Sequence, residues 1–236
     1  MGEIGFLSRS AMAEPRVEYM ESSRNLNLNL YKMIMAALAL DSSDHSIAGG
    51  HRLKSQISAT PNADSLSKFD REGTIGYMNQ FSNTICLQYP FLSIEDSMVQ
   101  YDTVLAALSG CSSDHRVIDE RGLQLEYFNT CLSIALGGLL SPDASQLASF
   151  ISALHSAARR TLPVILQNQD SLLAIKCMLM LAMYSLYSPS GGSAWHLIGM
   201  VMQKCVALGL EKDQDVQGSL ANERVKVFWS AYMLDR

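Results

Sequence analysis

Ser171–Leu210 reads SLLAIKCMLMLAMYSLYSPSGGSAWHLIGMVMQKCVALGL, two apolar segments around a short connection at residues 188–192. In the first segment Leu172, Ile175, Leu179, Met183 and Leu186 recur at three- and four-residue steps, the spacing of one helix face. Ser171 is placed to accept a hydrogen bond from a free N–H of the first turn. Pro189 cannot continue a helix, and Gly191 and Gly192 tolerate the left-handed geometry of a helix stop. Ser193 offers a second N-cap. Trp195, Ile198, Met202, Cys205 and Val206 then line one face of a second helix, and Leu197, Val201 and Leu208 widen it. Gly199 leaves a gap for another helix to approach, and Gly209 sits where a C-terminal cap glycine belongs. The stretch is predicted to be a buried helical hairpin.

The rest of the chain follows the same period. Residues 1–22 are unpatterned and read as a loose tail. Leu26, Leu30, Ile34 and Leu38 mark a short amphipathic helix. Asp41–Gly73 is polar and reads as a linker with few apolar anchors. The folded core is expected from Thr74, which divides the chain into an N-terminal part, 1–73, and a helical domain, 74–236. A helix carrying Ile75, Met78, Ser82 and Ile85 ends by Tyr89-Pro90. Ser93 opens the next with a capping-box spacing to Asp96, and Ile94, Met98, Tyr101, Leu105 and Leu108 follow. Residues 120–140 form another, in which the Gly137-Gly138 pair either kinks the helix or admits a neighbour. Ser141-Pro142-Asp143 signals a further start, and Pro163 is expected to break or kink that helix soon after Arg160. Leu220–Arg236 closes the chain as a helix burying Val225, Phe228 and Tyr232, with Trp229 at the margin. The Asn-Leu alternation at residues 25–30 also fits a strand for a few residues, but no strand-turn-strand pattern or hairpin signal occurs. The fold class is all-α, a multi-helix domain of packed antiparallel helix pairs.

The 236 residues are 48% hydrophobic and 17% charged, with net charge -5. An acidic chain is a poor partner for a phosphate backbone, so these residues are not expected to bind nucleic acid. The N-terminus lacks the apolar core of a secretory signal. Cys177–Leu186 is far shorter than the ~20 residues that span a bilayer, so no membrane association is expected. The five cysteines, Cys86, Cys111, Cys131, Cys177 and Cys205, are too dispersed for a metal motif and read as buried reduced thiols.

No catalytic constellation is visible. His155 has Arg159 one turn on, which is neither a metal pair nor an acid–base pair. His45 and His115 merely follow Asp44 and Asp114. His196 lies about 100° round the helix from Trp195 and reads as a partly exposed histidine rather than a sensor. Asp41 and Asp44 share the spacing of diphosphate-binding aspartates but lack the acidic cluster such sites need. Arg224 and Lys226 read as a solvated face, with a partner-contact face as the alternative and a weak Glu223–Lys226 pair.

The segments AWHLIGM (194–200), ALGL (207–210) and FWSAYMLDR (228–236) resemble the middle homology region of fungal zinc-cluster transcription factors, and FSNTICLQYPF (81–91) is similar to its opening segment. The chain departs from the family pattern at Gln203 and at Glu211-Lys212-Asp213. The residues carrying the likeness, each read as motif and core, are Trp195, Gly199, Leu208, Gly209, Leu210, Phe228, Trp229, Tyr232, Asp235 and Arg236. Trp195 is read as a core anchor rather than the wall of an effector pocket.

The resemblance implies a nuclear regulator of transcription by RNA polymerase II. A complete family member binds zinc and DNA through a six-cysteine cluster. That cluster has no counterpart in this sequence, so no zinc or other cofactor is expected here. The chain reads as a regulatory fragment whose family region continues past Arg236. Protein partners or a small-molecule effector are implied, and a homodimer is left open. The alternatives are a helical interaction scaffold and, less well supported, a small helical enzyme.

Overall fold

A computed structural model describes residues 21–39, 71–109, 122–167, 171–188, 191–212 and 219–236. Residues 1–20 of the tail, 41–70 of the linker, Cys111, the Asp41/Asp44 spacing and the Asp-His pairs at 44–45 and 114–115 lie outside the described residues, while Glu21 and Ser22 of the tail and Arg71–Gly73 of the linker are helical. Eight α-helices account for most of what is described, with no strand among those residues. They are α1 (Glu21–Ala39), α2 (Arg71–Phe81), α3 (Ile94–Ser109), α4 (Gln124–Leu139), α5 (Ala148–Gln167), α6 (Ser171–Tyr187), α7 (Ala194–Ala207) and α8 (Ser219–Asp235). Helix α2 runs on through one π-helical segment, Ser82–Cys86, before the chain turns at Tyr89-Pro90.

Two helices are central because they are apolar all round. Every residue of α4 from Tyr127 to Gly138 is buried. In α6 Ala174, Ile175 and all of Cys177–Tyr184 are buried. Such helices need neighbours on every side. Helices α2, α3, α5 and α6 pack on α4, while α7 and α8 pack on α6 and on each other. The short connections make α4–α5 and α6–α7 antiparallel pairs. Helix α1 lies on α5 and α7 with Leu30, Ile34, Ala37 and Leu38 buried, so it packs on the core although it precedes Thr74.

Local signals account for many ends. The Ser93 hydroxyl accepts from the Asp96 N–H at 3.3 Å and donates to the Glu95 carboxylate at 2.9 Å. The acid that the Ser93 side chain meets is thus Glu95, not Asp96. That hydrogen bond and the Glu95 backbone amide hold the Glu95 carboxyl below its ordinary pKa, with the backbone bond the larger cause. Neither a helix start at Ser141 nor a break at Pro163 occurs. The chain turns through residues 141–147 before α5 begins at Ala148, with Ala144 N–H donating to Ser141 O and Gln146 N–H to Asp143 O. Pro163 does not break α5, which continues to Gln167. A mid-helix proline costs about 3 kcal/mol, but Leu162, Ile165 and Leu166 around it are buried. Each contributes about 1.5–3 kcal/mol, so burial wins.

Gly137 is where two backbones meet. A Cβ there would fall 1.9 Å from the Tyr77 carbonyl oxygen of α2. Gly199, in contrast, would place a Cβ in open space, so the close helix approach expected there is absent. Gly137→Ala should lose about 3 kcal/mol, the upper end of overpacking costs. Gly199→Ala should gain about 0.5–1 kcal/mol, since alanine removes a mid-helix glycine without a clash. Urea titrations of the two variants check the pair, and equal effects would contradict the close α2–α4 contact.

Candidate functional site

The residues that carry the family likeness lie on α7, α8 and the turns around them. The α6–α7 turn is clamped against α1. Ser193 N–H donates to Ala37 O at 2.8 Å. Gly192 has φ +90°, and a Cβ on it would lie 2.4 Å from Leu38 Cα. The Ser185 hydroxyl contacts the carbonyls of Leu181 and Gly191 at 2.9 and 2.6 Å. Ser193 holds the N-cap position of α7, but its hydroxyl bonds the ring of His196 at 2.7 Å instead of a backbone N–H.

The far end of α7 closes as the sequence indicates. Gly209 has φ +62°. Leu210 N–H donates to Cys205 O at 2.9 Å and Gly209 N–H to Val206 O at 3.0 Å. This is the Schellman pattern, and Leu210 is buried beside it. Arg224 of α8 reaches across and donates to the Leu208 carbonyl at 3.1 Å. Arg224 is therefore a structural clasp between α8 and α7, not a member of a solvated face. Glu223 pairs with Lys176 of α6 rather than with Lys226.

The buried stripes match those expected only in part. In α7 Leu197, Ile198, Met200, Val201 and Cys205 face inward. Trp195 is 78% exposed and anchors no core; Val206 is exposed as well. Two residues separate Trp195 from Leu197, about 200° of helix, so burying Leu197 turns the indole outward. In α8 the inward residues are Val227, Ser230 and Ala231, with Phe228 half-buried. Val225 and Trp229 are half or more exposed, and Tyr232 is half-buried. Phe228, Trp229 and Tyr232 form an aromatic cluster with centroids 5.5–6.2 Å apart. Arg236 lies 4.9 Å over the Tyr232 ring and donates to its hydroxyl. Asp235 is exposed. Of the motif residues, then, Leu210 is core, while Trp195 and Trp229 are surface.

Tyr31, Met35, Ser156, Arg159 and Arg160 line a groove of about 300 Å³ between α1 and α5. The i, i+4 pair Tyr31/Met35 on the flank of the α1 apolar stripe and the Arg159-Arg160 dyad were its only sequence signals. Behind it, His155 is buried and stacked on Tyr184 with centroids 3.9 Å apart. Its Nε2 has no hydrogen-bond partner. Burial, with nearby Arg159, pushes its pKa down to about 3. Burial also holds the thiols of Cys86, Cys131 and Cys177 up at about 12 and Cys205 at about 11, so they stay protonated. Among the described residues, no group of three or more His, Cys, Asp and Glu side chains is placed to hold a metal ion. No described helix is long and apolar enough to cross a membrane.

The family model described as "Fungal specific transcription factor domain" matches residues 78–236, including α7 and α8. The chain belongs to this family. It is similar to Protein STB5 of Saccharomyces cerevisiae, 30% identical over 112 residues, covering 45% of this chain and 14% of the relative. The Candida glabrata protein named Negative regulator of pleiotropic drug resistance STB5 is likewise 30% identical over 112 residues, covering 45% of this chain and 11% of that one. The chain thus spans a small part of either relative's length. No solved structure matches it significantly.

His155 gives the fold a pH dependence of fixed sign. Its pKa is near 6.5 when unfolded and about 3 when folded, so between those values the unfolded chain holds the extra proton. The stability present above pH 6.5 is lost as the pH falls towards 3, by at most about 1.4 kcal/mol per pH unit. His155→Phe keeps a ring against Tyr184 and removes the titration. Thermal melts from pH 7 to pH 4.5 should fall less steeply for the variant than for the parent chain.

Proposed function

We propose that this chain is a regulatory region of a fungal transcription factor, acting in the nucleus on transcription by RNA polymerase II. It works by contact with partners or an effector and not by catalysis. The carrying observation is the family match over residues 78–236, which contains both elements bearing the outward aromatic side chains. The groups with chemical potential support the non-catalytic reading. Four thiols are held protonated by burial, and His155 is kept neutral behind Tyr184. DNA and zinc binding belong, on this reading, to the architecture of a complete family member. Both STB5 relatives extend far beyond the matched stretch.

The exposed Trp195 and Trp229 also suit a helical interaction scaffold with no role in transcription. A fusion of residues 1–236 to an unrelated DNA-binding module separates the two. The regulatory reading expects reporter output to differ from that of the module alone, and Trp195→Ser or Trp229→Ser to alter that difference while leaving the melting transition intact. Output equal to the module alone favours the scaffold. Metal analysis of the chelator-washed chain is expected to find less than about 0.1 zinc per chain, because its five cysteines are dispersed in sequence and the four described thiols are held protonated; stoichiometric zinc would contradict that.

A further inference from the structure

Arg159 is a poorly compensated cation. It is half-buried in the floor of the α1–α5 groove. Its Nη2 donates to Met35 Sδ at 3.7 Å, and a thioether is a weak acceptor. Its Nε is buried and donates to nothing. No described carboxylate pairs with it. Burial lowers its pKa, yet a guanidinium stays charged in proteins. A desolvated charge of this kind is costly until an anion meets it. The cleft of about 250 Å³ beside α8 presents the opposite case. Its cations Lys176 and Lys226 share their walls with Glu223 and Asp96, so its charge is internally balanced.

The rest of the groove narrows the class of ligand. The two Nη groups of a guanidinium form a planar fork that a carboxylate accepts bidentately. Ser156 lies on the same helix nearly one turn earlier and adds a hydroxyl, and Arg160 adds a second cation to the lining. The opposite wall is the ring of Tyr31 and the thioether of Met35, which suit an apolar or aromatic body. A volume of about 300 Å³ lies at the lower end of small-molecule sites.

We propose that the α1–α5 groove binds a small organic carboxylate, its carboxyl group on Arg159 and its apolar body between Tyr31 and Met35. This deepens the regulatory reading by naming a ligand class and rests on that reading only for what binding does to transcription.

The test is calorimetric titration of the full 236-residue chain with acetate, phenylacetate and inorganic phosphate. Phenylacetate should bind saturably and at least about tenfold more tightly than acetate, the effect of burying an apolar body. Tyr31→Ala should narrow that gap. Arg159→Gln should weaken phenylacetate at least about tenfold, as loss of a charge-assisted bond does. Ser156→Glu places a carboxylate inside the groove, and should abolish binding while leaving a cooperative melt. Should Arg159→Gln fail to fold, Ser156→Glu carries the decision. The proposal is overturned if none of the three anions binds saturably, if Ser156→Glu folds and still binds, or if phosphate outcompetes phenylacetate. Any of these leaves the reporter experiment standing, so the ligand class can fail without the transcriptional reading failing.

Discussion

Helix α6 has no polar face to give to water along Cys177–Tyr184, and that single constraint organises the fold. A helix apolar all round gains from burial only when neighbours enclose it. Helices α4, α7 and α8 do so here. Helix α4 has the same property and is enclosed by α2, α3, α5 and α6. The two buried rods touch, so the layers around one are continuous with the layers around the other. Close approach is then needed at particular points, and glycine supplies it. Gly137 admits the backbone of α2, and Gly192 admits that of α1. The burial is large but non-directional; the few polar contacts set alignment. Asn129 donates to Gln100 at 3.0 Å, Thr74 shares a hydrogen bond with Tyr101, and Arg224 clasps Leu208. The partly exposed Lys176–Glu223 pair adds little, about 0–1 kcal/mol.

What was legible in the sequence was local. The α6–α7 hairpin, the Ser93 cap and the Gly209 stop each depend on residues within one or two turns. Their chemistry is written in adjacent letters. The inward face of α7 was not legible, because nearly every position from Trp195 to Val206 is apolar or small. The stripe through Trp195, Ile198, Met202 and Cys205 and the stripe through Leu197, Val201 and Leu208 both have helical period, and the buried face takes residues from each. Only the position of α6 chooses among them. Residue size misled as well. In α8 Val225, Phe228 and Tyr232 look like the core face, yet Val227, Ser230 and Ala231 are the side that meets its neighbours. Small residues let helices come together, and their value shows only once the partner is in place.

Pro163 and Arg224 show the same lesson from opposite directions. A proline is a local penalty, and a local reading ends the helix there. The tertiary burial of Leu162, Ile165 and Leu166 exceeds that penalty, so α5 passes through. An arginine on a helix surface reads as solvated. Arg224 instead finds the carbonyl at the end of another helix, sixteen residues back in the chain. Both outcomes depend on contacts that no window of sequence contains. The α1–α5 groove is harder still to foresee, since its walls come from Tyr31 and Arg159, over a hundred residues apart.

Helix α1 touches both regions of interest, and the character of its two contacts differs. Towards its middle, Tyr31 and Met35 form one wall of the groove, where there is open volume. At its end, Ala37 and Leu38 meet the α6–α7 turn with no volume to spare: Ser193 is hydrogen-bonded to Ala37, and Gly192 has no room for even one more carbon atom. The step from Met35 to Ala37 is about 3 Å along a rigid helix. Met35 of the groove wall and the tight contact at Ala37 and Leu38 therefore lie within one turn of the same helix. Immediately beyond that contact stands Trp195, at the start of α7 and 78% exposed. The helix that leaves this indole outward is thus held at its first turn by the same element that walls the groove.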